Sequence, residues 1–272
     1  MTKEQLHKYV SESTRNESNI CQIYAIKEGL DVYDDCWHGF KTLNAMNVNS
    51  VTKGIMALLV GIALDKGFIK NVDQKVIDFF PDYIVKRGEK TIYDVTIRHL
   101  LTMTAPYKGR SEPWKKVCTS QDFTYAILDY LGGRSGITGE FRYATLGIQI
   151  LAGIIEKAAD EKCIDFANNN LFVPLNLPER IAHGDSSKED QFDFFMNKNP
   201  RKFEWYSDPR GYLWYKPYDD KEVYAAIGDS GNIIYINKEK KVSVGVTGTF
   251  KPRIFDRVDF IEQKVLPAIG VG

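Results

Sequence analysis

The chain has 272 residues, and its 36 Lys+Arg are balanced by 36 Asp+Glu, so the formal net charge is zero. That balance removes the electrostatic case for a nucleic-acid or anionic-membrane partner. With 43% hydrophobic and 26% charged residues, the composition is that of a folded globule and excludes disordered, collagenous and disulfide-scaffold classes.

The first residues, MTKEQLHKYVSESTRNESN, lack the apolar stretch of a signal peptide. The longest apolar run, Ile55 to Leu64, is about half of what a bilayer needs. The four cysteines (Cys21, Cys36, Cys118, Cys163) contain no CxxC pair, and the four histidines (His7, His38, His99, His183) contain no HxH or HxxxH pair. The expectation is a cytoplasmic protein with reduced thiols, no structural zinc and no membrane attachment.

Residues 3–10 read as a short amphipathic helix. CQIYAI and DVYDDCW follow, and Lys27-Glu28-Gly29 between them signals a hairpin. Ser50 to Lys66 is apolar almost all round, the pattern of a buried helix, with Gly67 at its end. TIRHLLTMTAP predicts a short helix stopped before Pro106, and residues 121–131 predict another. Gly132, Gly133, Gly136 and Gly139 mark a loop. Thr145 to Ala159 is strongly helical, with Leu146, Ile150, Ile154 and Ile155 on one stripe. From Pro178 to Pro217 the chain is polar, aromatic and irregular, either a connecting region with its own small core or a roof over a substrate. IIYIN and KVSVGVTG around Lys238-Glu239-Lys240 form a second hairpin, and Phe255 to Ala268 reads as a final amphipathic helix. Strands therefore sit at both ends of the chain and helices in the middle. The predicted fold is α/β in the α+β sense: an antiparallel sheet built from residues 1–45 and 222–272 and flanked by helices, plus a mainly helical lobe over residues 46–221. A cleft between lobes is the default place for a site.

Three short stretches carry chemistry-bearing residues. Ser50-Val51-Thr52-Lys53 opens the buried helix, and Ser50 is the only serine with a lysine three positions on. Residues i and i+3 share a helix face, so the Lys53 amine can reach the Ser50 hydroxyl. A serine needs a base to become a nucleophile, and a lysine serves only where burial or positive neighbours lower its proton affinity. The other reading of these residues is an N-cap serine and a lysine whose head snorkels to solvent. Tyr143, in Phe141-Arg142-Tyr143-Ala144-Thr145 before the long helix, is either a proton carrier or packing. Gly228-Asp229-Ser230-Gly231-Asn232 leads into a strand, and is either a ligand-approach point or an ordinary turn.

In this order the three stretches resemble the serine β-lactamase and penicillin-binding-protein superfamily, in its branch of class C β-lactamases, D-alanyl-D-alanine carboxypeptidases and related esterases. The likeness extends through NVNSVTKGIMALLVGIALDKGFI, TIRHLLTMTAP, FRYATLGIQILAGIIEKAA and LFVPLNL, over roughly residues 20 to 268. It implies a β-lactamase/transpeptidase-like fold in which Ser50 is the acylated nucleophile, Lys53 its general base and Tyr143 the proton shuttle to the leaving group. Asp229-Ser230-Gly231 would match the family's Lys/His-Ser/Thr-Gly triplet, and the backbone N–H groups of Ser50 and Asn232 would form the oxyanion hole. No metal or organic cofactor is implied. Two positions depart from the family's pattern: Thr145 stands where the tyrosine motif usually ends in asparagine, and Asp229 stands in place of Lys or His. An aspartate there repels a substrate carboxylate. The expected function is a serine hydrolase acting through an acyl-enzyme on a small-molecule ester or amide. The alternatives are a β-lactamase or D,D-peptidase, and a catalytically weak relative used as a binding protein. Nothing in the sequence speaks to oligomeric state.

Overall fold

The structure, a computed structural model, describes residues 1–175 and 212–272. Five strands form: β1 (Ile20–Lys27), β2 (Leu30–Cys36), β3 (Val223–Gly228), β4 (Asn232–Asn237) and β5 (Val242–Gly248). They form one antiparallel sheet in the order β2-β1-β5-β4-β3. In β5 the period-2 pattern buries Val242, Val244 and Val246. Val246 lies opposite both Ile23 and Ile233, which makes it a hub of the apolar face. Helix α1 (Lys3–Ser11), capped by Thr2 and Gln5 in a capping box, adds Leu6 and Val10 to the same core. The C-terminal helical stretch adds Phe260, Ile261, Val265 and Leu266. It runs through Val258–Phe260, a π-type Ile261–Val265 and Leu266–Ala268.

Both predicted hairpins are present, whereas β3 is a strand the pattern did not show. Its sequence VYAAIG buries adjacent Ala225 and Ala226 and ends in glycine, so it has neither clean alternation nor strong β propensity. Its outer edge is bridged by Tyr215, which exchanges backbone hydrogen bonds of 2.8 and 2.9 Å with Ala225.

By contacts the chain divides into two compact units, Met1–Ile55 with Leu213–Gly272, and Met56–Tyr212. The division falls inside α2 (Val51–Asp65). Helix α2 forms over the predicted span but is not enclosed on all sides. Val51, Lys53, Leu59, Val60 and Ala63 are buried, yet Leu58 is 45% exposed. The second unit carries α3 (Ile97–Leu101), α4 (Trp114–Cys118), α5 (Phe123–Leu128), α6 (Thr145–Ala159) and α7 (Cys163–Ala167), which continues into a π turn at Asn168–Phe172. Helix α6 spans the predicted residues, buries Leu146, Ile150, Leu151, Ile154 and Ile155, and ends at Asp160 in the left-handed conformation. Helices α4 and α7 escaped the sequence reading: each is little more than one turn and offers no periodicity, whereas the equally short α3 was marked by its apolar run before Pro106. Most of the aromatic stretch from Pro178 to Pro217 lies outside the described residues. No helix among the described residues is long and apolar enough to cross a membrane.

Candidate active site

Three overlapping turns lead into α2. Val51 N–H donates to Val48 O (3.2 Å), Thr52 N–H to Asn49 O (3.2 Å) and Lys53 N–H to Ser50 O (3.0 Å). They bring the Lys53 ammonium within 2.9 Å of Ser50 Oγ, to which it donates a hydrogen bond. Lys53 is only 8% exposed, so its head does not snorkel to solvent. The helix continues past it at Gly54, where a Cβ would stand 2.8 Å from Ala226 Cβ and 3.2 Å from the Trp214 ring. Trp214 Nε1 donates to Gly54 O at 3.1 Å. A side chain at residue 54 would push the first turn of α2 away from β3, so glycine sets how near Ser50 lies to the strand.

The end of β3 makes the other close approach. A Cβ on Gly228 would lie 2.2 Å from Val48 O and 3.2 Å from Ser50 N. Asn49, itself left-handed at φ 51°, donates from Nδ2 to Asp229 O at 3.1 Å. The residue before Ser50 is thus tied to the turn between β3 and β4.

That turn, Asp229–Gly231, is braced from within. Ser230 is left-handed at φ 69° and fully buried, with its N–H on Asp229 Oδ1 (2.8 Å) and its Oγ donating to Phe250 O (2.9 Å). Asn232 Nδ2 donates to Asp229 O at 2.6 Å and its Oδ1 accepts from Gly248 N–H at 3.1 Å. Beneath them Asn19 Nδ2 reaches the carbonyls of Ser230 (3.0 Å), Thr249 (2.7 Å) and Pro252 (3.2 Å). Arg257, 2% exposed, donates to Gly231 O at 3.2 Å and to Asn19 Oδ1, and burial pushes its pKa down to about 10. Asn232 has no exposed surface. Asn232 works as a brace, and Gly228 is the residue that brings strand backbone beside Ser50.

Asp229 is not a free carboxylate. Arg253 grips it with Nε on Oδ1 (3.2 Å) and Nη2 on Oδ2, a two-point ion pair in which the acid is 16% and the arginine 41% exposed. The guanidinium also lies over the Phe250 ring, 5.1 Å from its centroid. Sequence reasoning passed over Arg253, Asn49, Asn19 and Arg257. Asn49 alone carried a signal, as the neighbour of Ser50; the others are brought in by the fold.

Tyr143 and Thr145 belong to the second unit, at the start of α6. The neighbouring Arg142 fixes this stretch. Its N–H donates to Met103 O (2.7 Å), and its guanidinium donates to Tyr107 O (3.2 Å), Gly109 O and Tyr130 Oη (2.6 Å). It also lies over the stacked rings of Tyr107 and Tyr130. Burial pushes the Tyr107 hydroxyl pKa well up, and Glu112 adds to the rise. Glu112 Oε1 accepts the Leu146 N–H at 2.7 Å, supplying the cap that Ala144 lacks. Among the described residues no group of three His, Cys, Asp or Glu could hold a metal ion.

A sequence model of the β-lactamase family matches residues 39–192, more than half of the chain. Penicillin-binding protein 4* of Bacillus subtilis (strain 168) is 27% identical over 166 residues, which cover 53% of this chain and 34% of that protein. The chain thus spans about a third of the length of this relative. The octameric penicillin-binding protein homologue from Pyrococcus abyssi superposes with a TM-score of 0.64 at 14% identity, covering 100% of this chain and 78% of that one. The D-stereospecific amidohydrolase from Streptomyces sp. does so with a TM-score of 0.58 at 12% identity, covering 89% and 94%. These likenesses establish the fold, a β-lactamase-like combination of antiparallel sheet and helices.

Proposed function

The chain belongs to the β-lactamase family, and from that premise we propose that it is a serine hydrolase acting through an acyl-serine intermediate on an ester or amide. One observation carries the reading: a buried lysine amine 2.9 Å from a serine hydroxyl at the head of a helix. Lys53 in its neutral form takes the Ser50 Oγ proton as Oγ attacks the acyl carbonyl. The bond from carbon to the leaving oxygen or nitrogen then breaks, and the proton passes through Tyr143 to the leaving alcohol or amine. Water adds to the acyl-serine by the same proton route, releasing the acid and restoring Ser50. The backbone N–H groups of Ser50 and Asn232 stabilise the oxyanion, each donor contributing about 2.7–4 kcal/mol. Thr145 offers one hydroxyl where an amide would offer two N–H donors.

Hydrolysis of p-nitrophenyl butyrate and of the matching anilide by the parent, Ser50→Ala and Lys53→Met tests the proposal. Loss of turnover in Ser50→Ala and a fall of about 100- to 10,000-fold in Lys53→Met are expected. Equal rates in parent and Ser50→Ala would exclude it.

A further inference from the structure

Asp229 is tied through its own carbonyl to the residue before the nucleophile, and its carboxylate fills the two-point fork of Arg253. We infer that Arg253 is a carboxylate-binding residue kept occupied by Asp229, and that this internal pair sets the enzyme's preference for uncharged acyl groups. The inference rests on the hydrolase reading for its substrate and on the ion pair for its logic.

A guanidinium has five N–H donors. Asp229 takes one from Nε and one from Nη2, so the paired edge is closed to any second carboxylate. The group is 41% exposed and backed by the Phe250 ring. Phe250 is itself 44% exposed, so apolar surface adjoins the cation. A neutral acyl chain meets an apolar ring and a neutralised ion pair. An anionic one meets the same pair and must displace a carboxylate that is part of the chain, held at high effective concentration. Removing the charge of Asp229 while keeping an oxygen for the Ser230 N–H should therefore open the fork without dismantling the turn. Asn supplies that oxygen.

The test compares p-nitrophenyl butyrate with mono-p-nitrophenyl glutarate, whose acyl chain ends in a carboxylate, on the parent, Asp229→Asn, Arg253→Gln and the double variant. The ratio of kcat/KM for the anionic over the neutral ester should rise at least about tenfold in Asp229→Asn, equivalent to about 1.4 kcal/mol. That gain should vanish in the double variant. A parallel titration of monomethyl glutarate by calorimetry, on the same proteins carrying Ser50→Ala, reads binding without turnover. It should tighten at least about tenfold in Asp229→Asn and return to the parent value when Arg253 is also replaced. Equal binding in parent and Asp229→Asn, or a gain that survives Arg253→Gln, would overturn the inference. Ester hydrolysis that does not depend on Ser50 would remove the hydrolase reading and leave the binding arm to decide this one.

Discussion

Gly228→Ala tests whether the close approach of β3 to Ser50 matters. The new Cβ would stand 2.2 Å from Val48 O, 3.2 Å from Ser50 N and 3.2 Å from Val51 Cγ2. Carbon contacts settle near about 3.5 Å, so strand and turn must part by on the order of 1 Å. The obstacle is backbone, which cannot swing aside as a side-chain tip would. Overpacking of this kind costs about 1–3 kcal/mol, and each kcal/mol lowers Tm by about 2–4 °C in a chain of this size. A misplacement of about 1 Å near reacting atoms costs about 100-fold in rate. The assay is the labelling rate of Ser50 by a fluorophosphonate, read beside Tm from calorimetry. Gly245→Ala in β5 is the control, since its Cβ would meet nothing nearer than Tyr24 O at 4.0 Å. Gly228→Ala should label about 100-fold more slowly, and Gly245→Ala within a few-fold of the parent. Parent-like labelling and Tm in Gly228→Ala would refute the argument that this contact positions the nucleophile.

Three further outcomes are expected. Asn19→Ala strips the donor from three carbonyls and leaves the buried Arg257 without its amide acceptor, which should cost about 2–4 kcal/mol in urea unfolding; a loss below about 0.5 kcal/mol would contradict the bracing role. Arg142→Met removes the donor shared by Tyr107 O, Gly109 O and Tyr130 Oη and should lower stability by about 2–3 kcal/mol; an unchanged urea midpoint would count against it. Burial alone would raise the pKa of Glu89, but the N–H groups of Gly133 and Ile92, together with Lys108, hold it below the usual range. A carboxyl lowered in the folded state stabilises the fold above its unfolded pKa of about 4.3 and gives that up as pH falls through the folded value. Glu89→Gln should therefore be less stable than the parent by about 1–3 kcal/mol at pH 7, with the gap closing toward pH 2; a gap independent of pH would contradict the sign.

The sheet hairpins, α2 and α6 were legible because each is long enough to show its period, and because Gly29 and Lys238-Glu239-Lys240 punctuate them. β3 was hidden by small residues whose burial depends on neighbours far away in sequence, such as Tyr215 and β4. The Ser50–Lys53 pair could be read because three residues along a helix fix its geometry. The ion pair of Asp229 was not legible for the opposite reason. Its partner Arg253 is 24 residues on, beyond β4 and β5, and nothing in local sequence pairs them. The complete burial of Asn232 was not legible, because the sequence of a polar turn does not announce it.

The central claim is that Lys53 activates Ser50. Intact mass after exposure to a fluorophosphonate probe, with Ser50→Ala and Lys53→Met alongside, measures it most directly. A single adduct on the parent, none on Ser50→Ala and strongly slowed labelling of Lys53→Met is the predicted result. A folded parent that takes no adduct, or a Lys53→Met that labels as fast as the parent, would contradict it.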